Sequence, residues 1–533
     1  MLLTTILNIL ISRVALGQAA AVSSPQTTRV SCNNISIPEI PGATIVSIVA
    51  EKLLNGSGVY VDEVTPAIGH LDGVNVCDVK VAVSHPGISE NVGFQFYLPL
   101  EGWNNRFLGV GGGGYVAGNS GILGLGEMAK KGFITAMTDG GNISDAQGLL
   151  RDDMITADGG IDMSRLENFA SRSLHELAVV GKLVSESFYG KAPAHSYWKG
   201  CSTGGRQGMM LAQKYPGDFD GILANAPALD FPRTLVALGW AEFTMRRLNH
   251  EVSACALNGF QAGAVAACDK LDGVEDGVIA NPDMCRFDPF SVVGQIVDCK
   301  DSPHTITSQD AEVVKVIMAG AKGPEGEQLW EPYSWGMTYG SVHPDDPNFA
   351  MLWDKWTTIM INKDPSFDIS GYKTLTQFAH FMQISLQEFS DVIGTTQTDL
   401  SAFRDQGGKL LSWHGLADDI LPKEISVQYR KAVEKRMGGS KAVDEFYRLF
   451  LPPGLSHCYL GKGAYPADAL DSLIKWVEKG EAPEELHGTM KALTGEKAER
   501  IICSYPLVAR YDGKGDDKKA SSYTCAKSFC STR

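Results

Sequence analysis

The chain has 533 residues, 44% of them hydrophobic and 20% charged, enough for a large core and more than one domain. Its formal net charge of −15 argues against a nucleic-acid partner, which needs a basic face, and against anchoring on anionic lipid. Acidity of this kind reports solubility and names no substrate.

Leu2 to Ile11 is a short apolar run, followed by the small residues Ala15, Gly17 and Ala19 to Ala21. The pattern predicts a signal peptide over 1–17, although the first basic residue is only Arg13. Residues 18–30 are small and polar, a flexible mature N-terminus. No later stretch has the ~18 unbroken apolar residues of a membrane span, so no membrane partner is expected. Eleven cysteines in a chain that reads as secreted predict disulfides, with at least one thiol left over. Sequons at Asn34, Asn55 and Asn142 predict glycosylation.

Between Cys32 and Leu100 the alternating runs Val79–Val83 and Gly93–Leu98 predict strands. Asn105 to Val110 is another, and it runs into the four glycines Gly111 to Gly114. Gly109-Val110-Gly111-Gly112-Gly113-Gly114 satisfies the dinucleotide fingerprint, with Asp139 after the strand-like Phe133–Thr138 as the acid for a ribose. The same run suits an oxyanion loop, with Gly113 donating its N–H. Four glycines satisfy almost any glycine pattern, and a dinucleotide-binding oxidoreductase leaves Ser202 unexplained. The oxyanion loop is therefore preferred. Residues 164–189 read as a helix, with Leu166, Phe169, Leu177, Val180, Val184 and Phe188 near helical spacing and Gly190 to close it.

Gly200-Cys201-Ser202-Thr203-Gly204 fits G-x-S-x-G, a sharp strand-to-helix turn that holds a serine proud of a sheet. His195–Lys199 reads as the strand and Gln207–Tyr215 as the helix. The turn needs small neighbours, and Gly200, Gly204 and Gly205 supply them. Thr203 N–H lies beside the serine as an oxyanion donor. Phe219–Pro227 is the next parallel strand, so strands and helices alternate as in an α/β sheet covered on both faces.

After Pro227 the rhythm breaks. Residues 228–395 hold a cysteine cluster, an Asp/Gly loop and the aromatics Trp330, Tyr333, Trp335, Trp353 and Trp356. They read as an insertion between two parts of one core, 18–227 and 396–533. The core resumes with a strand at Lys409–Gly415, a helix over 423–437, the strand Phe446–Phe450 and a helix over 467–478. The tail from about 500, with Cys503, Cys525 and Cys530, is expected to be held by a disulfide. Lys435-Arg436 is a dibasic pair on a predicted helix, read as charged surface rather than a processing site.

A serine hydroxyl needs a base to take its proton and a third group to orient that base. The chain supplies them in the order serine, acid, histidine, each beyond a predicted strand. His414-Gly415-Leu416-Ala417-Asp418-Asp419 offers the acid, and Gly454-Leu455-Ser456-His457-Cys458 the base. Asp418 and Asp419 are adjacent, so one at most serves His457, and the spacing favours Asp418. His414 is the rival base but reads as structural. Cys201 precedes Ser202 and Cys458 follows His457, so a Cys201–Cys458 bridge would staple nucleophile loop to base loop. Asp269, Asp272 and Asp276 cluster among glycines as hard oxygen ligands, with the carbonyls of Val274 and Val278. They suit Ca²⁺, although the spacing is not that of an EF-hand. Cys268 and Cys285 flank this loop.

Gly-Cys-Ser-Thr-Gly-Gly at 200–205, the late Asp loop and Ser-His-Cys at 456–458 resemble the tannase and feruloyl esterase family, over nearly the whole chain after residue 17. The resemblance implies an α/β-hydrolase fold with a large inserted lid domain, a triad of Ser202, Asp418 and His457, and the disulfide Cys201–Cys458. It implies structural Ca²⁺ in the lid and no organic cofactor. It suggests the pairs Cys32–Cys77, Cys268–Cys285 and Cys503–Cys525, with Cys255–Cys299 as a guess and Cys530 left over. The expected substrate is a phenolic ester attached to polysaccharide, with lid aromatics stacking on its ring. Gallate esters, the substrates of a tannase, are the nearest alternative. A non-catalytic binding protein on the same fold is a further one.

Overall fold

The computed structural model describes residues 31–529 except 63–66, 89, 120, 301, 340–346 and 492. The predicted signal peptide and Cys530 lie outside the described residues. Nine strands form the main sheet: β1 (Thr44–Asp62), β2 (Ala67–Ser84), β3 (Val92–Pro99), β4 (Arg106–Val110), β5 (Ile134–Thr138), β6 (His195–Cys201), β7 (Gly221–Asn225), β8 (Lys409–Trp413) and β9 (Tyr447–Phe450). Their order is β1-β2-β3-β5-β4-β6-β7-β8-β9, antiparallel from β1 to β5 and parallel from β5 to β9.

The parallel strands read as near-continuous apolar runs because both faces are covered. Successive side chains point to opposite faces. Phe107, Trp198, Ile222 and Leu410 enter one apolar cluster, while Leu108, Tyr197, Leu223 and Leu411 enter another. The first face carries α1 (Ser173–Tyr189) and α2 (Thr203–Lys214), and the second carries the late helix Ala469–Lys479 through Leu473 and Trp476. A turn of α-helix (Met163–Glu167) and a π-turn (Asn168–Arg172) lead into α1, which ends at Gly190 with φ 74°, where glycine carries no Cβ penalty.

β7 and β8 are parallel neighbours, with Ile222 opposite Leu410, so residues 226–408 are an insertion between adjacent strands. It holds α3 (Phe231–Ala237), α4 (Ala254–Cys268), α5 (Ser308–Met318) and α6 (Leu375–Ile393). Its apolar residues divide. A set running from Ala241 to Tyr339 forms a cluster of its own, whereas Trp356, Phe378, Phe389 and Phe403 join the main core. The chain then returns through α7 (Glu424–Met437) and α8 (Ala469–Lys479). Arg436 of α7 pairs with Asp399 at 2.7 Å.

Five disulfides close Cys32–Cys77, Cys201–Cys458, Cys255–Cys299, Cys268–Cys285 and Cys503–Cys525. β1 and β2 form a hairpin of 19 and 18 residues whose far half extends beyond β3, with register shifts near Leu53, Gly56 and Gly58. Several of its apolar side chains, Val46, Val49, Leu54 and Ile68, face solvent. That is why hydrophobic alternation understates its length.

Tight packing fixes the turn between β6 and α2. A Cβ on Gly205 would sit 2.4 Å from the Asn225 carbonyl oxygen, and one on Gly200 2.5 Å from the Gly204 backbone. Behind the turn Arg206 is fully buried, its guanidinium 5.4 Å from the ring centroids of both Phe169 and Phe231. It donates to the carbonyls of Ala170 (3.0 Å) and Phe169 (3.3 Å). Gly205→Ala is expected to cost about 1–3 kcal/mol of stability, as overpacking does. A lowered urea midpoint checks this, and an unchanged midpoint refutes it.

Candidate active site

Ser202 stands between β6 and α2 with φ 60° and ψ −120°, a conformation that side-chain-bearing residues rarely adopt. Its N–H donates to the Asn225 carbonyl at 3.0 Å. The glycine run after β4 is clamped to the start of α2. Gly204 N–H donates to Gly112 O (2.9 Å) and Thr203 Oγ1 to Gly114 O (2.7 Å). The Gln207 amide accepts from Gly112 N–H (3.2 Å) and donates to Ala117 O (3.0 Å). A Cβ on Gly111 would meet the Gly204 Cα at 2.5 Å, so that approach requires glycine. Among the described residues neither the Thr203 nor the Gly113 amide has an acceptor. Thr203 follows the serine in the chain and Gly113 lines the same cavity as Ser202; an oxyanion hole needs donors so placed.

No helix follows the glycine run directly. Asp139, the acid a dinucleotide would require, accepts the N–H groups of Gly93 and Gly141, each at 2.9 Å. Its carboxylate is committed to backbone, and the dinucleotide alternative fails on that geometry.

Asp418 lies in the loop after β8, fully enclosed. Its Oδ1 accepts the amides of Ile420 (2.9 Å) and Leu421 (2.8 Å). Its Oδ2 faces His457 Nδ1 at 2.8 Å and His414 Nε2 at 3.2 Å. Burial opposes its charge, but the two imidazoles hold its pKa well below the usual carboxylate range. The carboxylate can only accept, so His457 carries its proton on Nδ1 and its Nε2 lone pair is left open. That Nε2 is buried and has no hydrogen-bond partner among the described residues. Burial lowers the His457 pKa, but Asp418 and then Asp419 outweigh it and raise the pKa above its ordinary value.

His414 is excluded as the base by its own contacts. Its Nε2 faces two acceptors, Leu421 O (2.8 Å) and Asp418, so it carries the proton, and its Nδ1 faces Ser426 Oγ at 2.8 Å. Both nitrogens are used and the ring is wholly buried. Asp419 Oδ1 accepts from Ser456 Oγ at 2.7 Å. Ser456 Oγ in turn lies 3.2 Å from Thr338 Oγ1 of the insertion. Cys201–Cys458, with Cα atoms 5.8 Å apart, ties the serine loop to the histidine loop.

Ser202 and His457 line one cavity of about 440 Å³. Its other walls include Leu108, Val110, Leu123, Asn225 and Tyr459, and Tyr60 from the hairpin. The Asn225 side-chain oxygen is buried there without a partner, available to a ligand. Among the described residues none of those lining the cavity comes from 228–395. Trp330, Tyr333, Trp353 and Trp356 are buried in apolar clusters or against helices, and Trp335 packs on Phe287, so the expected stacking aromatics are internal packing. Tyr60, which does line the cavity, lies in a stretch with no motif. Only its run of Val59-Tyr60-Val61 marks it as strand.

Asp269, Asp272 and Asp276 converge around a turn closed by Cys268–Cys285. Asp272 is pushed up to about 6 by burial and then by Asp276 and Asp269, the signature of crowded, buried carboxylates. Part of the set is already engaged. Asp269 accepts the amides of Asp276 (3.2 Å) and Gly277 (3.0 Å), and Asp276 takes Arg500 Nη2 at 2.7 Å. Among the described residues no three acidic, histidine or cysteine side chains alone make a metal cage, so a cation here depends on the Val274 and Val278 carbonyls as well. Hard oxygen donors of this kind fit Ca²⁺. The sequon residues Asn34, Asn55 and Asn142 are all exposed.

Residues 77–526 match the family described as tannase and feruloyl esterase. A probable feruloyl esterase of Arthroderma benhamiae is 42% identical over 96% of this chain and 97% of its own. A mono(2-hydroxyethyl) terephthalate hydrolase of Piscinibacter sakaiensis is 30% identical over 84% of each chain. Among solved structures, a tannin acyl hydrolase from Aspergillus niger superposes with a TM-score of 0.81 at 27% identity, covering 92% of this chain and 93% of that one. With a matching fold, matching length and this serine, histidine and aspartate arrangement, the chain belongs to the tannase and feruloyl esterase family.

Proposed function

We propose that this protein is a secreted serine carboxylesterase that hydrolyses esters of hydroxycinnamic acids, ferulate among them, carried on plant cell-wall polysaccharide. One observation carries the chemistry: a carboxylate-held His457, its Nε2 unpartnered among the described residues, lines the cavity that also presents Ser202. Ser202 Oγ attacks the ester carbonyl while His457 Nε2 takes its proton. The oxyanion forms against the Thr203 and Gly113 amides. His457 returns the proton to the departing alcohol, leaving an acyl-enzyme. Water, deprotonated by the same nitrogen, then releases the acid and frees the serine. Asp418 stays ionised throughout and fixes the imidazole tautomer.

The 42% identical relative bears the name feruloyl esterase, which favours ferulate. The overall likeness to a tannin acyl hydrolase keeps gallate esters as the second reading. Five disulfides support an oxidising destination, consistent with a cleaved segment over 1–17, and exposed sequons support glycan attachment. No helix among the described residues is long and apolar enough to cross a membrane. The insertion 228–395 acts as a lid domain, touching the histidine loop through Thr338 and Ser456. Within it Asp269, Asp272, Asp276 and the carbonyls of Val274 and Val278 hold a structural Ca²⁺, which braces the turn and takes no part in hydrolysis.

kcat/KM on methyl ferulate and methyl gallate, measured side by side, tests the substrate. Preference for ferulate supports the first reading and preference for gallate the second. Ser202→Ala should lower kcat at least about 10⁴-fold, and Asp418→Asn should approach that loss. Full activity in Ser202→Ala ends the mechanism. His457 must be neutral to act as base. Because its pKa is raised, kcat/KM should climb with pH through a midpoint above the ordinary imidazole value of 6.5. Asp419→Asn removes a negative charge that raises it, so the midpoint should move down. An upward or absent shift contradicts this electrostatic account. A chelator should lower the melting temperature, added Ca²⁺ should restore it, and Asp272→Asn should blunt the response. An indifferent melting curve removes the metal.

A further inference from the structure

A second cavity of about 710 Å³ adjoins the one that holds Ser202. Tyr60, Glu127, Met128 and Lys199 line both, so the two meet along a shared rim. The larger one is a groove on the sheet face where Lys199 of β6 and Leu223 of β7 project. Helix α8 borders it with Leu470, Ile474 and Lys475, and the short helix Glu127–Lys130 borders the other side. Nothing in the hydrolytic mechanism uses this space.

Its charge is opposite in sense to the rest of the chain. The protein carries −15 in all, yet five cations and three acids line the groove. Two of the acids are already matched there. Glu478 takes Arg106 Nε at 2.6 Å and Nη2 at 2.8 Å, and Glu127 takes Lys131 Nζ at 2.7 Å. Lys475 and Lys479 are exposed along α8, with Asp471 the third acid. At the junction the Tyr60 ring lies over Gly69 of the facing strand. A Cβ on Gly69 would come 2.4 Å from that ring, so the glycine is what lets the ring lie there. Tyr60 is half-buried and offers an aromatic surface at the rim.

A hydroxycinnamoyl group is planar and largely apolar, and suits the smaller cavity with Leu108, Val110 and Leu123. A glycan is extended, polar and needs an open trough. We infer that the groove between α8 and the Glu127–Lys130 helix binds the glycan from which the ester is cleaved. Its excess of cations selects glycans that carry carboxylates, that is, uronic acid residues. This rests on the ester-hydrolase reading of the Ser202 site.

The test uses two probes without an ester: a neutral xylo-oligosaccharide and the same chain bearing one glucuronate. Each is titrated into the intact protein by calorimetry, with methyl ferulate hydrolysis measured in parallel. The acidic chain should bind about tenfold more tightly than the neutral one, and 0.5 M salt should erase most of that difference. Lys475→Glu with Lys479→Glu, an exposed pair, should remove the preference. Ala467→Trp, an exposed turn residue filling the groove, should abolish binding of both. Binding of neither probe overturns the inference, as does equal binding of the two or binding unchanged in both variants. Protein that binds the acidic glycan but leaves methyl ferulate intact sinks the esterase reading alone. Protein that hydrolyses methyl ferulate without binding either glycan sinks the groove alone.

Discussion

The site depends on keeping one charge, the Asp418 carboxylate, out of water. An ionised carboxylate buried without partners would protonate instead, and would then be useless for orienting a base. Here two backbone amides and two imidazoles converge on it. The amides come from the loop that follows β8, so the fold of that loop and the ionisation of Asp418 are one event. His414 supplies the inner imidazole and spends both its nitrogens in doing so. His457 supplies the outer one and retains a free lone pair. The same carboxylate therefore makes one histidine structural and the other basic.

The serine half of the site rests on steric demand. The turn at Ser202 brings the backbones of β6, α2 and the Gly111–Gly114 loop so close that Gly111, Gly200 and Gly205 have no room for a Cβ. Among the described residues the Thr203 and Gly113 amides on these two segments have no acceptor. Cys201–Cys458 then joins the two halves by a covalent link across 257 residues of chain, with one cysteine next to Ser202 and the other next to His457. A link of that span removes much freedom from the unfolded chain, about 5 kcal/mol in the chain-entropy account. It also limits how far the serine and histidine loops can drift apart.

The cavity walls have a different origin from the catalytic groups. The insertion spends its large aromatics on its own packing and on the main core. Among the described residues the walls come from the β1–β2 hairpin, β4 and the segment after it, the end of β6 and the histidine loop. The hairpin carries exposed apolar side chains and, in Tyr60, a tyrosine that lines both cavities. The groove beyond it lies over a sheet face that elsewhere is filled by α8.

The sequence by itself determined the local features: the elbow, the oxyanion loop, the order serine, acid, histidine, the acidic turn at 269–278 and the alternation of strands with helices. Each is set by short-range demands, such as room for a Cβ or the period of apolar residues. The long hairpin escaped this reading, since an edge strand with apolar residues on its open face shows no clean alternation. Only the tertiary structure decided that Asp418 and not Asp419 meets His457, that His414 is a donor, that Tyr60 lines the cavity and that Trp330, Trp353 and Trp356 do not. Those outcomes depend on where side chains point once segments hundreds of residues apart are packed, and the neighbouring Asp418 and Asp419, identical in chemistry, take different partners, His457 and Ser456.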